Sequence, residues 1–126
     1  MDNPYKLLII DDNEEILAAL YDFFSKKKYA VITACDGLEG LKFLENEKNP
    51  FDLVITDIVI PNVSGIGIIS IIKKKYPKTP VIAITGWGEH PEALAAEAHA
   101  DKVLEKPFEL EELDKVVNEL ILNRTL

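Results

Sequence analysis

Five polar residues carry the chemistry this sequence can do: the pair Asp11 and Asp12, then Asp57, Thr85 and Lys106. Carboxylates brought together repel one another, and at neutral pH they need a cation or a shared proton. With oxygen ligands only, and no His or Cys beside the acids, that cation is expected to be hard. Magnesium fits, because it keeps several waters and binds through a few carboxylates plus a phosphate. Manganese would substitute for it, whereas calcium wants a larger oxygen cage and no EF-hand loop is present. An ionised Asp57 could attack phosphorus directly, without a general base, to give an aspartyl phosphate. Such a transfer asks mainly for in-line positioning and for positive charge around the equatorial oxygens. A metal held by Asp12 and Asp57 would supply one charge and the Lys106 ammonium a second. The Thr85 hydroxyl would donate to a further oxygen, and Gly86 would let the backbone approach closely.

Taken singly, each residue has a plainer role. Asp12 with Glu15 resembles a capping-box start for a helix. Asp57 could be a turn residue, Thr85 could pair with backbone, and Lys106 could be a surface lysine. What separates the two accounts is the set of elements that must position them. Tyr5–Ile10, Ala30–Ala34, Phe51–Thr56, Pro80–Ile84 and Lys102–Leu104 are short apolar runs expected as buried strands. Helical spacing follows each run. Ile16, Leu17, Leu20, Phe23 and Phe24 lead to about Lys28, and Leu38, Leu41, Phe43 and Leu44 stop before Asn49-Pro50. A third helix ends near Tyr76, an alanine-rich one lies near Pro91–Ala98, and Glu109–Leu122 closes the series. Strands alternating with helices imply right-handed crossovers and a parallel sheet covered on both faces. In that architecture the binding crevice lies at the carboxyl ends of the strands. Asp11-Asp12, Asp57, Thr85 and Lys106 all fall at or just beyond such ends, so they should converge on one edge.

Length and charge narrow the class further. The 126 residues fit a single domain spanning 1–126, and 48% apolar content supports a packed core. No run approaches the about 20 apolar residues of a membrane span, and MDNPYK lacks the form of a secretory signal. The expected setting is cytoplasmic. A net charge of −8 argues against direct nucleic-acid binding through a basic surface. The clusters Lys26–Lys28 and Lys73–Lys75 sit near helix ends, where they complement the helix dipole. The single cysteine, Cys35, excludes an internal disulfide and is expected to be structural.

The segments LLIIDDNEEIL, ACDGLEGL, DLVITDIVIPNVSG, PVIAITGWG and ADKVLEKPF together resemble the receiver domains of two-component response regulators, over essentially the whole chain. The resemblance implies an α/β, flavodoxin-like (βα)5 three-layer sandwich with a parallel five-stranded sheet in order 2-1-3-4-5, an order for which a chemotaxis receiver serves as a known illustration. It implies Asp57 as phosphoacceptor, Asp12 as a direct Mg2+ ligand, Asp11 acting through water, and the Val59 main-chain carbonyl completing the protein ligands. Thr85 and Lys106 would bind phosphoryl oxygens, and Lys106-Pro107 would be a cis peptide. The donor would be a sensor histidine kinase or a phosphotransfer protein, or a small phosphodonor. Partners are expected on the face formed by the Pro91–Ala98 helix, the fifth strand and the last helix, an arrangement that also allows a weak homodimer. Such domains promote their own phosphorylation and slow hydrolysis but are not classed as enzymes. The chain is expected either to stand alone or to be a fragment of a longer regulator or hybrid kinase.

Departures from the family pattern set further expectations. Val103 occupies the fifth-strand position where most relatives carry an aromatic that rotates inward, so switching is expected to rely on the Thr85–Gly88 loop and the helix after it. Trp87 and Val59 are placed to shield an acyl phosphate at the mouth of the site. Lys28 and His99 stand where relatives have helix-ending glycines, so both should be left-handed. Ile71 should face outward, because Ile66, Ile68, Ile69, Ile71 and Ile72 are too many for one buried stripe. Three rival accounts are weaker. A nucleotide or flavin module lacks a glycine-rich first turn, and a dehalogenase-type phosphatase lacks an acid at Val59. A phosphorylation-independent interaction module of the same fold would have no use for the intact acidic site.

Overall fold

Aliphatic runs without polar alternation leave a strand no face to turn to water, so they settle in the middle of a layered structure. The computed structural model describes residues 5–46, 51–60, 62–86 and 99–124. Among them the runs form β1 (Lys6–Ile10), β2 (Ala30–Ala34), β3 (Leu53–Asp57), β4 (Val81–Thr85) and β5 (Lys102–Glu105). All neighbours pair in parallel, in the order β2-β1-β3-β4-β5. The expected flavodoxin-like topology is the observed one. β1, β3 and β4 are almost wholly buried, while the edge strands β2 and β5 are partly open.

Side-chain alternation divides the sheet between two cores. Leu8, Ile10, Val54 and Ala83 pack with Leu44 of α2 (Gly37–Asn46) and Ile68, Ile69 and Ile72 of α3 (Gly65–Lys75). Leu7, Ile9, Leu53, Ile55, Ile82 and Ile84 pack against α1 (Glu14–Lys26) through Leu17, Leu20 and Phe24. The last helix (Leu110–Arg124) joins that second core through Leu113, Val117 and Ile121. The helix expected near Pro91–Ala98 lies outside the described residues. No helix among the described residues is long and apolar enough to cross a membrane.

Several local expectations are met and others corrected. Lys28 and His99 are left-handed, with φ of 76° and 70°, and the Lys106-Pro107 peptide is cis. Ile71 is half-buried rather than outward, because it lies three residues from buried Ile68 at the margin of the same stripe. Cys35 is exposed, not part of the core, and the Glu39 carboxylate beside it pushes its thiol pKa up, away from the reactive thiolate. The lysine clusters do more than sit in a dipole field. Lys73 binds Asp101 at 2.6 Å and the Thr79 carbonyl at 2.9 Å, and Lys27 reaches Asp114 at 3.2 Å.

The start of α1 differs from a capping box at Asp12. Asn13 is the cap, its side-chain oxygen accepting from the Glu15 and Ile16 amides at 2.9 and 3.1 Å. The capping role, the plainer alternative for Asp12, is therefore carried by its neighbour. Asn13→Ala should lower the unfolding free energy by about 1 kcal/mol in urea titrations. Asp12→Ala should leave it no lower than wild type, and an equal loss from both would return the capping role to Asp12.

Candidate functional site

The strand ladders run one step past each strand end and so fix where the polar residues emerge. The Asp11 amide donates to Ala34 (3.1 Å), the Ile58 amide to Ile84 (3.0 Å) and the Lys106 amide to Thr85 (2.9 Å). Ile10 is in register with Thr56, Asp57 with Ile84, and Thr85 with Glu105. Asp11 and Asp57 therefore leave adjacent strands side by side. Asp11, Asp12 and Asp57 each offer a carboxylate oxygen, and these oxygens lie within 4.8 Å of one another.

Burial and pairing separate the three acids. Asp57 is only 5% exposed, and Asp11 3%, whereas Asp12 is exposed to solvent. The Lys106 ammonium bridges the buried two, at 2.7 Å from Asp57 Oδ2 and 3.4 Å from Asp11 Oδ2. The other Asp57 oxygen accepts from the Val59 amide at 3.2 Å, and the other Asp11 oxygen from the Asn13 amide at 2.9 Å. Burial pushes the Asp11 carboxyl up from its ordinary pKa, against the opposing pull of the Asn13 amide and Lys106. For Lys106 burial disfavours the charge, yet the Asp57 hydrogen bond and the two nearby carboxylates together hold its pKa above the usual lysine value.

Thr85 is fully buried, and its hydroxyl has no hydrogen-bond partner. An orphaned hydroxyl costs on the order of 1–3 kcal/mol, so one at the end of a central strand is a group waiting for an acceptor. A Cβ on Gly86 would meet no atom within 4 Å, so packing does not demand a glycine there. Gly65, eight residues after Asp57, does answer to packing. A Cβ there would overlap the Asp57 carbonyl, and its amide donates to Ile58 at 2.9 Å. Gly65, at the start of α3, thus sits closed against the end of β3.

The donor set fits a divalent cation. Three carboxylates and one ammonium leave a formal charge of −2 if all ionise, and every protein ligand on offer is an oxygen. Asp11, Asp12 and Asp57 are the residues that would hold magnesium, with the Val59 carbonyl on the loop beside them. Val59 itself is 57% exposed, which suits a residue at the rim of the site. Val103 is half-buried and packs against the α2/α3 core. Trp87 lies outside the described residues. Asn13 and Asn62, both tied to the acids of this edge or its loops, were not marked out by sequence, although an asparagine between Pro61 and Gly65 is a signal for a left-handed turn.

Known proteins place this arrangement. A family model described as the response regulator receiver domain matches residues 7–118. The alkaline phosphatase synthesis transcriptional regulatory protein PhoP of Bacillus subtilis (strain 168) is 32% identical over 117 residues, covering 92% of this chain and 48% of that protein. The transcriptional regulatory protein GlrR of Escherichia coli (strain K12) is 34% identical over 119 residues, 94% of this chain and 26% of that protein. The chain thus spans half or less of these curated relatives. Among solved structures, a receiver domain protein from Clostridium thermocellum superposes with a TM-score of 0.88 at 34% identity, covering 96% of this chain and 97% of that one. A CheY-like receiver from Methanospirillum hungatei JF-1 gives 0.90 at 27% identity, with 98% of both chains covered.

A cation that binds only the folded site stabilises it by mass action. At ten times its dissociation constant, Mg2+ should raise the unfolding free energy by about 1.4 kcal/mol. The gain should vanish in Asp12→Asn, measured by urea denaturation with and without the metal. An unchanged gain in that variant would remove Asp12 from the ligand set.

Proposed function

We propose that this chain, which belongs to the response regulator receiver domain family, accepts a phosphoryl group on Asp57 from a phosphohistidine of a histidine kinase or phosphotransfer protein. Receiver domains are signalling modules of two-component systems rather than conventional enzymes. The observation that carries the proposal is Asp57 itself: a buried carboxylate, 2.7 Å from the Lys106 ammonium and grouped with Asp11 and Asp12.

The step is a displacement at phosphorus. An Asp57 oxygen forms the new P–O bond as the P–N bond of the donor breaks, and the electron pair leaves with the imidazole. Mg2+, when bound, supplies positive charge to the phosphoryl oxygens. Lys106 exchanges its bond to Asp57 for one to a phosphoryl oxygen, and the Thr85 hydroxyl donates to another. Beside Lys106, a cavity of about 550 Å³ lies between α1 and the segment after β5, lined by Ile16, Ala19, Leu20, Pro107, Phe108 and Leu110. Its apolar wall next to the acceptor suits the docking of a donor protein. Val59 and Trp87 are assigned to the mouth of the site, where they would slow hydrolysis by excluding water.

The phosphorylated state is assigned to regulate an output partner, on the face that includes β5 and the last helix. Val103 has no ring to rotate, so the signal is expected to leave through residues 85–88 and the segment that follows.

Incubation with a small phosphodonor should give a phosphoryl mass adduct with Mg2+ and none without it, and Asp57→Asn should give none in either case. In the same assay the adduct of Trp87→Ala should decay faster than that of wild type. An unmodified wild type would favour a phosphorylation-independent interaction module. Phosphorylation should also shift the amide resonances of residues 85–88 and 92–98; unchanged resonances there would rule out this exit route.

A further inference from the structure

The loop from β3 to α3 carries Val59, and its two ends are held in different ways. Near its start, Ile58 and Ile60 are buried in the α2/α3 core on either side of exposed Val59. At its far side, Asn62 is left-handed with φ of 71°, and its side-chain amide donates to Asp36 Oδ2 at 3.1 Å. Asp36 stands just before α2, and its other oxygen accepts from the Glu39 amide at 2.8 Å. Glu39 completes the turn by accepting from the Cys35 amide at 2.8 Å. One carboxylate therefore caps a helix with one oxygen and grips the β3–α3 loop with the other. The next residue reinforces the contact. A Cβ on Gly37 would overlap the Val63 carbonyl, so loop and helix start touch backbone to backbone.

We infer that Asp36 and Asn62 form a clasp between the β2–α2 and β3–α3 loops that positions the Val59 main chain for the metal. The inference rests on the magnesium reading proposed above. Asp36 and Asn62 are positioning residues, since neither belongs to the proposed ligand set. Asp suits position 36 because it offers two acceptors on one rigid group. Asn suits position 62 because it tolerates the left-handed backbone and also brings a donor.

The test separates helix capping from the clasp. Asp36→Ser keeps a capping oxygen but is too short to reach Asn62. Asn62→Gly keeps the left-handed turn and loses the donor. Asp36→Asn keeps the cap and, with the Asn62 amide flipped, restores the clasp without the charge. Mn2+ binding is read from the paramagnetic resonance of the free ion, alongside hydrogen exchange of the Val59 amide and urea stability. The dissociation constant should rise about fivefold in Asp36→Ser and in Asn62→Gly, the loss of one hydrogen bond's worth of positioning. Val59 exchange should quicken in both, and Asp36→Asn should stay close to wild type. Wild-type affinity in either clasp-breaking variant, with binding still abolished in Asp12→Asn, overturns the clasp alone. A loss in Asp36→Asn equal to that in Asp36→Ser also overturns it, because charge rather than geometry would then be responsible. A wild type that binds no Mn2+ overturns the metal reading and the clasp together.

Discussion

Repulsion among Asp11, Asp12 and Asp57 is the constraint around which this edge of the molecule is organised. Two ionised carboxylates within 4.8 Å repel by on the order of 3 kcal/mol at an effective dielectric of about 20. A fold holds such a group together only if the backbone leaves no alternative and a positive charge is at hand. The parallel sheet meets the first condition. Its order makes β1 and β3 neighbours, so Asp11 and Asp57 emerge next to each other whatever their side chains prefer. Lys106 meets the second in part. It follows β5, two strands away from β3, a lateral gap of about 10 Å. Among the cationic side chains, a lysine on a loop can span that gap with an unbranched stem and deliver a compact charge between two carboxylates.

The sheet and the converging residues were legible in the sequence for one reason. Each acid, the threonine and the lysine follow a short apolar run that reads as a buried strand, and the resemblance to receiver domains supplied the strand order. Contacts between loops had no such signature. The hydrogen bond from Asn62 to Asp36 joins residues 26 apart, and neither residue reveals the other by type or spacing. Asp12 looked like a cap because an acid before a helix usually is one, and only the geometry shows Asn13 taking both amides. Ile71 and Cys35 were misjudged for a different reason. Burial at the margin of a stripe, or just beyond an edge strand, depends on how far neighbouring elements extend over it. Periodicity within one element carries no information about that.

The two ends of the sheet contrast in how they treat polar groups. At the end where the strands begin, three polar side chains among the described residues are paired with backbone. Asp52 accepts from the Lys6 amide at 2.7 Å, Asp101 from the Val81 amide at 2.7 Å, and the Thr79 hydroxyl donates to the Phe51 carbonyl at 3.3 Å. At the end where the strands finish, the Thr85 hydroxyl has no partner and Asp57 shares one ammonium with Asp11. Asp114 Oδ1 is also unpartnered, but its sister oxygen is ion-paired to Lys27, away from this edge. Folded proteins satisfy nearly all their buried polar groups, so the unpartnered Thr85 hydroxyl beside the grouped carboxylates points to a group kept free for a ligand. The two cores on either side of β1, β3 and β4 are continuous and almost fully buried, and they offset what the edge costs. Stability is concentrated where the strands are covered, and the same strands hold Asp11, Asp57 and Thr85 rigidly enough to act together.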